Sequence, residues 1–321
     1  MKKHSSKHAK RILNCIPSKA VENDWGLAAA VAANIATARK SLPKQIDLRE
    51  KWWHINDQKD TGSCVGWATA DGLLRWHFVK HGLIIPKQLL SVRFIWMAAK
   101  ETDEFTDTPS TFIESTGTSL KAALDIARKY GCVTDEVLPF DSARLSHLDE
   151  KAFFATASVM KIANYFNLRR NADPIQSWKQ WIANGNGPIL VRLDVDDTWM
   201  NATATKGKLD AYDVDSADGG HAVCIVGYTP DRIIIRNSWG DKTWGDKGFA
   251  YASYEYAKAA FTEAYGVTLS SGLKKKDAFA PVKKGVGMEQ VDTSLALRNQ
   301  PVLISADEKV VITGGHGVGN G

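Results

Sequence analysis

The 321 residues carry 41 Lys and Arg against 36 Asp and Glu, with 44% hydrophobic and 24% charged positions, the balance of a soluble globular protein rather than a disordered or fibrous one. A net charge of +5 is too mild to argue for a nucleic-acid or membrane partner, and the basic start (Lys2, Lys3, Lys7, Lys10, Arg11) reads as a solvated arm. No run approaches the about 20 apolar residues of a membrane-spanning helix, and Pro17 cuts the apolar stretch after Arg11 short of the about 7–15 residues of a secretory leader.

In chain order, residues 1–17 read as disordered. An Ala-rich helix is predicted over 19–39, capped by Ser18, with Val21, Trp25, Ala28, Ala32 and Ile35 on one face. Leu42-Pro43 opens an extended stretch. Helices are then predicted over 64–80, ending at His81-Gly82, over 118–130, closing at Gly131, and over 174–184, which starts with a proline and precedes Gly185 and Gly187. Strands follow over 188–195, 221–228, 232–237 and 249–252. Helices first and strands later give an α+β fold with a helical lobe and a β lobe. Past residue 270 come a lysine-rich linker, a hairpin pattern over 301–313 and a glycine-rich tail from Gly314 to Gly321.

Three islands carry chemistry: Gln58 through Cys64-Val65-Gly66-Trp67, Gly220-His221-Ala222, and Asn237-Ser238-Trp239-Gly240. A thiol is poorly ionised at neutral pH, its reference pKa being about 8.5, so a nucleophilic cysteine needs a base or a favourable field. Cys64 would begin the 64–80 helix, whose positive end favours thiolate. His221 would serve as base, and the Asn237 side-chain oxygen would fix its tautomer. Gln58, six residues before Cys64, could turn its amide back to complete an oxyanion hole with the Cys64 N–H. Cys15, Cys132 and Cys224 read as inert buried thiols, which favours a reducing compartment, expected to be cytoplasmic, although export by a dedicated machine would leave no trace. No Cys/His spacing resembles a zinc site.

With these residues in view the chain resembles the papain-like cysteine peptidases from about Leu42 to Val267. Asn237-Ser238-Trp239-Gly240 followed by Trp244-Gly245-Asp246-Lys247-Gly248 is similar to that family's strongest signature, and His221 stands sixteen residues before Asn237 as the pattern requires. Lys129-Tyr130-Gly131 through Phe140, and Asn186-Gly187-Pro188-Ile189-Leu190-Val191, resemble further family segments. The resemblance implies a two-lobed fold with Cys64 and His221 facing across a groove for an extended peptide. Trp239 would shield the His221–Asn237 bond, and Gly117, Thr118 and Gly220 would line the groove. It implies a protein or peptide substrate, a Cys64 thioester, and no metal or organic cofactor. Val65 and Thr61 depart from the family's usual Trp and Cys, and the Cys64–His221 separation slightly exceeds the customary about 130–150 residues, which an insertion over Thr102–Ser115 would explain.

The expected organisation is an N-terminal extension or short propeptide (1–41), a peptidase domain (42–268) and a C-terminal extension (269–321). Residues 1–41 read either as a propeptide whose helix lies over the groove or as a permanent extension packed on the scaffold. The glycine tail reads as plain disorder or as a substrate mimic, so either extension could inhibit the enzyme. Two alternatives to an endopeptidase stay open: another acyl transferase on the same machinery (a transglutaminase, deamidase or isopeptidase), or a peptide-binding groove without catalysis.

Overall fold

The computed structural model describes residues 11–102, 117–141 and 150–269. The insertion over Thr102–Ser115 apart from Thr102 itself, the 301–313 hairpin and the glycine tail lie outside the described residues. Helices α1 (Leu27–Ala32), α2 (Cys64–Gly66), α3 (Arg75–Lys80), α4 (Val92–Thr102), α5 (Leu120–Lys129), α6 (Glu150–Ala157), α7 (Pro174–Ala183), α8 (Asp197–Met200) and α9 (Tyr254–Ala260) surround one mixed sheet. Its strands are β1 (Ile46–Asp47), β2 (Ile162–Asn167), β3 (Ile189–Asp194), β4 (Lys208–Leu209), β5 (Gly220–Tyr228), β6 (Arg232–Arg236), β7 (Phe249–Ser253) and β8 (Phe261–Leu269). They run in the order β2-β8-β3-β5-β6-β7-β4, with β1 also on β5. All pairings are antiparallel except β4 with β7.

The sheet is covered on both faces, which explains its unbroken apolar runs. Side chains of successive strand residues point to opposite sides. Ala222, Cys224 and Val226 of β5 accordingly join Leu190, Ile234, Tyr265 and Val267 in a core with α3, α4 and α5. Val223 and Ile225 turn the other way, into a core with Trp178, Trp181, Tyr256 and Ala257 from α7 and α9.

Helix ends follow local chemistry. Ser119 accepts from Ala122 N to cap α5, and Asp173 accepts from Gln176 N to cap α7, whose first turn holds Pro174. Between α2 and α3 the helix widens into a π-helical segment, Trp67–Leu74. Gly72 permits close packing there, since a Cβ would lie 2.8 Å from Cys224 Sγ.

The N-terminal segment departs from expectation twice. The long helix over 19–39 is only a 3₁₀ turn (Val21–Asn23) and α1. Left-handed backbone at Ala20 and Asn34 interrupts it at each end. Of its predicted apolar face Ile35 packs on the β lobe and Trp25 meets Phe166, while the buried positions are Leu27, Ala30 and Ala36. Ser18 is no helix cap: its Oγ accepts from Lys121 N at 3.2 Å. Residues 11–17, expected to be disordered, are packed against the folded body, and Cys15 is 2% exposed.

A buried ionic cluster joins the helical lobe to the sheet. Asp71, in the π-helical segment, accepts from Arg75 Nη1 at 2.8 Å and from Arg236 Nη2 at 2.6 Å. Arg236 also donates to His54 O, and its guanidinium stacks over Trp53. Burial pushes the Asp71 pKa up, but Arg236 and Arg75 outweigh it and hold the carboxyl below its ordinary value. A depressed folded-state pKa means the stabilisation is fully present above the unfolded value of about 3.9 and is lost as pH falls through the lower folded value. We predict that Asp71→Asn, which leaves two buried guanidiniums without a counter-charge, costs about 3–5 kcal/mol at neutral pH. Urea denaturation read by tryptophan fluorescence checks this.

Candidate active site

Cys64 is the first residue of α2 and is wholly buried. His221 enters β5 immediately after Gly220. The register that sets Cys224 opposite Arg236 carries Asn237, just past β6, up to His221. His221 Nε2 hydrogen-bonds to Asn237 Oδ1 at 2.7 Å, and the same oxygen accepts from Ser238 N at 2.8 Å. The amide oxygen is thereby fixed, and the ring proton on that side sits on Nε2, leaving Nδ1 for the thiol.

Gln58 is fully buried and anchored on three sides. Its Oε1 accepts from Ser238 Oγ at 2.8 Å, its backbone N–H donates to Ser238 O, and its Nε2 donates to Thr61 O at 3.1 Å. The second Nε2 hydrogen is not spent in that bond. The Gln58 loop is thus tied to the segment that carries Asn237.

Aromatic rings enclose the imidazole. Trp239 lies 4.7 Å from the His221 ring, between centroids, and Trp199 packs edge-on at 5.8 Å. Trp244 stacks on Trp199 at 4.4 Å. Trp239 is 2% exposed, so the His221–Asn237 bond is kept from water.

The Cys64 thiol is held well below its ordinary pKa, first by its interaction with the Cys15 thiol, then by its interaction with His221, against burial that pushes it up. Cys15 is driven the other way, chiefly by burial and then by its interaction with Cys64. The opposed directions favour the charge on Cys64.

This contact belongs to a larger one. Residues 11–18 run along the surface formed by every groove residue named from the sequence. Cys15 N donates to Gly220 O at 3.0 Å and Ile16 N to Thr118 O at 3.2 Å. Glycine is required at the walls: a Cβ on Gly117 would lie 1.7 Å from Asn14 O, and on Gly220 2.0 Å from Cys15 O. Asn14 Oδ1 sits 4.0 Å from Cys64 Sγ. Arg11 forms an ion pair with Asp57 at 2.7 Å and lies over Trp239. At the other end Ser18 N donates to Glu263 Oε1 at 2.8 Å, and Arg192 Nε donates to Cys15 O at 2.9 Å.

Cys64, His221, Asn237 and Gln58 are thus brought to one place, His221 on Asn237 and Gln58 on the neighbouring Ser238. The chain also matches the model of the papain family cysteine proteases over residues 42–267. It belongs to that family. It is therefore a thiol protease, a hydrolase. Among solved structures it is similar to xylellain, a cysteine protease from Xylella fastidiosa, with 21% identity, 82% of this chain and 98% of that chain covered, and a TM-score of 0.65. It is also similar to digestive procathepsin L 3 of the Tenebrio molitor larval midgut (19% identity, 73% and 72% covered, TM-score 0.55). A third is the proform of Amb a 11, a ragweed pollen cysteine protease (17% identity, 77% and 74% covered, TM-score 0.53). At these identities the likeness speaks for the papain-like fold. No curated protein matches the chain. Among the described residues no group of three or more His, Cys, Asp or Glu could hold a metal ion, and no helix is long and apolar enough to cross a membrane.

Sequence reasoning missed the residues that close the groove. Cys15, read as inert, lies beside Cys64, and Arg11, placed in the solvated basic arm, is instead held by Asp57 and Trp239; Asn14, Arg192, Trp199 and Glu263 went unnoticed. The apolar Ile12-Leu13 and Cys15-Ile16 pairs inside a polar leader were the only signal. Cys132 and Cys224 are buried as expected, and burial pushes both thiols up to about 12.

If His221 sustains the Cys64 thiolate, the onset of alkylation by a small haloacetamide lies below pH 7 in the full chain. In His221→Ala it moves toward the about 8.5 of a free thiol. The midpoint rather than the absolute rate is the readout, because Cys64 is covered.

Proposed function

We propose that this chain is a cysteine endopeptidase whose own residues 11–18 keep it latent. The convergence of Cys64, His221, Asn237 and Gln58 carries the catalytic part of the reading. The Cys64 thiolate attacks the scissile carbonyl carbon. The oxyanion that forms is stabilised by the Cys64 N–H and the second Nε2 hydrogen of Gln58. The His221 imidazolium gives its Nδ1 proton to the leaving amine, which departs as the thioester forms. Water then adds to the thioester with His221 taking its proton, and collapse frees the acid and the thiolate. Asn237 keeps the ring oriented throughout.

Latency rests on the occupied groove. Gly117, Thr118, Gly220 and Trp239, the residues proposed to hold substrate, are each engaged by residues 11–16. The Cys15 carbonyl is taken by Arg192 rather than by the Gln58 amide, the posture of a blocking segment rather than of a peptide ready for cleavage. The blocking element is this extended strand and not the predicted helix, which sits on the β lobe. Two of the structural neighbours were solved as the proform or procathepsin, in keeping with such a device.

Two measurements test the reading. Wild type incubated with a denatured protein yields new amino termini, whereas Cys64→Ala yields none and Gln58→Ala is slower by about 10²–10³. Ammonia release or crosslinking with intact backbones would instead identify another acyl transferase. Removal of residues 1–17 raises kcat/KM on a peptide substrate by at least about tenfold, since a binding-competent state is no longer taxed by closure; equal rates would remove the latency.

A further inference from the structure

All four cysteines are unpaired and buried, yet only two meet. Cys132 Sγ donates to Val133 O and Cys224 Sγ to Ala68 O, so each is satisfied on a nearby backbone carbonyl. Cys15 follows Asn14, whose Oδ1 lies 4.0 Å from Cys64 Sγ, and its buried thiol interacts with that of Cys64. Cys15 is positioned from both sides of its backbone, its N–H on Gly220 O and its carbonyl on Arg192 Nε. Its position is therefore set by the groove itself. The neighbouring residue, Asn14, packs against Gly62, where a Cβ would lie 2.1 Å from Asn14 Nδ2. The blocking segment thus delivers a second sulfur to the nucleophile and fixes it there.

We propose that Cys15 and Cys64 form a reversible disulfide, making Cys15 the resolving thiol of the nucleophile and the closed groove a covalent latch. The proposal rests on the reading of residues 11–18 as the blocking segment. A hydroperoxide is the oxidant. The Cys64 thiolate attacks its terminal oxygen; the S–O bond forms, the O–O bond breaks, and the leaving oxygen departs as water or alcohol after taking a proton. The Cys15 sulfur then attacks the Cys64 sulfenic acid, and water leaves as the S–S bond forms. Two thiols give up two electrons and two protons, and the peroxide is reduced. A thiol reductant reverses the step by exchange, returning two thiols and a segment held only by non-covalent contacts. The sulfenic acid is the rung of the oxidation ladder from which Cys64 is still recoverable, and a thiol already in contact captures it before sulfinic acid forms.

The test uses the full chain. Wild type and Cys15→Ser are exposed to the same molar excess of hydrogen peroxide at neutral pH, quenched with haloacetamide and digested without reductant. In wild type the digest contains a linked peptide joining Cys15 to Cys64, lighter by two hydrogens than its two thiol peptides and abolished by dithiothreitol. Cys15→Ser instead accumulates Cys64 sulfinic and sulfonic acid, with at least about tenfold less Cys64 thiol recovered by reductant. No Cys15–Cys64 peptide in oxidised wild type, or equal recovery in the two proteins, overturns the latch. Mass spectrometry reads the bond without turnover. A protein that proves not to be an endopeptidase can therefore still show it, and an active endopeptidase that lacks it defeats this inference alone.

Discussion

The geometry of the site depends on one buried carboxylate. Asp71 lies on the helix that begins at Cys64, and Arg236 immediately precedes Asn237. Their ion pair links the helix that begins at Cys64 directly to the strand that leads into Asn237. Trp53 Nε1 donates to Asp71 O, and Asn56 Nδ2 reaches Asp71 Oδ2, so the loop leading to Gln58 is tied to the same residue. A salt bridge in a protein interior is poor evidence of stability, because desolvation offsets its attraction. Its contribution here is positional. It holds in register two elements from opposite sides of the groove, whose reacting atoms must keep their spacing to work.

From that anchor the sheet does the rest. Because β5 is buried on both faces, its odd and even residues are committed to different cores, and a one-residue slip would exchange them. Such a slip would also turn His221 away from Cys64. The placement of the imidazole is therefore enforced by the apolar alternation of Ala222 through Val226, several residues from the chemistry. Trp199, Trp239 and Trp244 then close over it from one side.

What could be read beforehand divides along physical lines. Helices over 64–80, 118–130 and 174–184, and the strands around His221 and Arg232–Asn237, are marked by caps, glycine stops or apolar runs, and they form within a residue or two of expectation. Strand β8 and helices α4 and α9 were not foreseen. In β8 the apolar run is interrupted by Glu263, a buried carboxyl that accepts from Ser18 N at the far end of the chain, and no local pattern announces that partner. The Ala-rich stretch over 19–39 failed for the opposite reason: helix propensity was high, but the backbone turns at Ala20 and Asn34 to dock α1 on the β lobe. Cys64, His221 and Asn237 stood out in the sequence because the chemistry proposed for them admits few other residue types. The covering segment was not, because backbone bonds from Cys15 and Ile16 to Gly220 and Thr118 can be made by almost any sequence.

Because the strand over the groove belongs to the same molecule, its local concentration is fixed by tether length, on the order of millimolar for a short flexible connection, and dilution does not lower it. Any external ligand of the groove, whether peptide, protein inhibitor or electrophilic label, binds only the fraction of molecules in which the strand has lifted. Affinities measured on the full chain are thus products of two equilibria. Labelling intensity in a mixture counts opened molecules, and an abundant preparation can look empty to a reagent that reads only accessible thiolate.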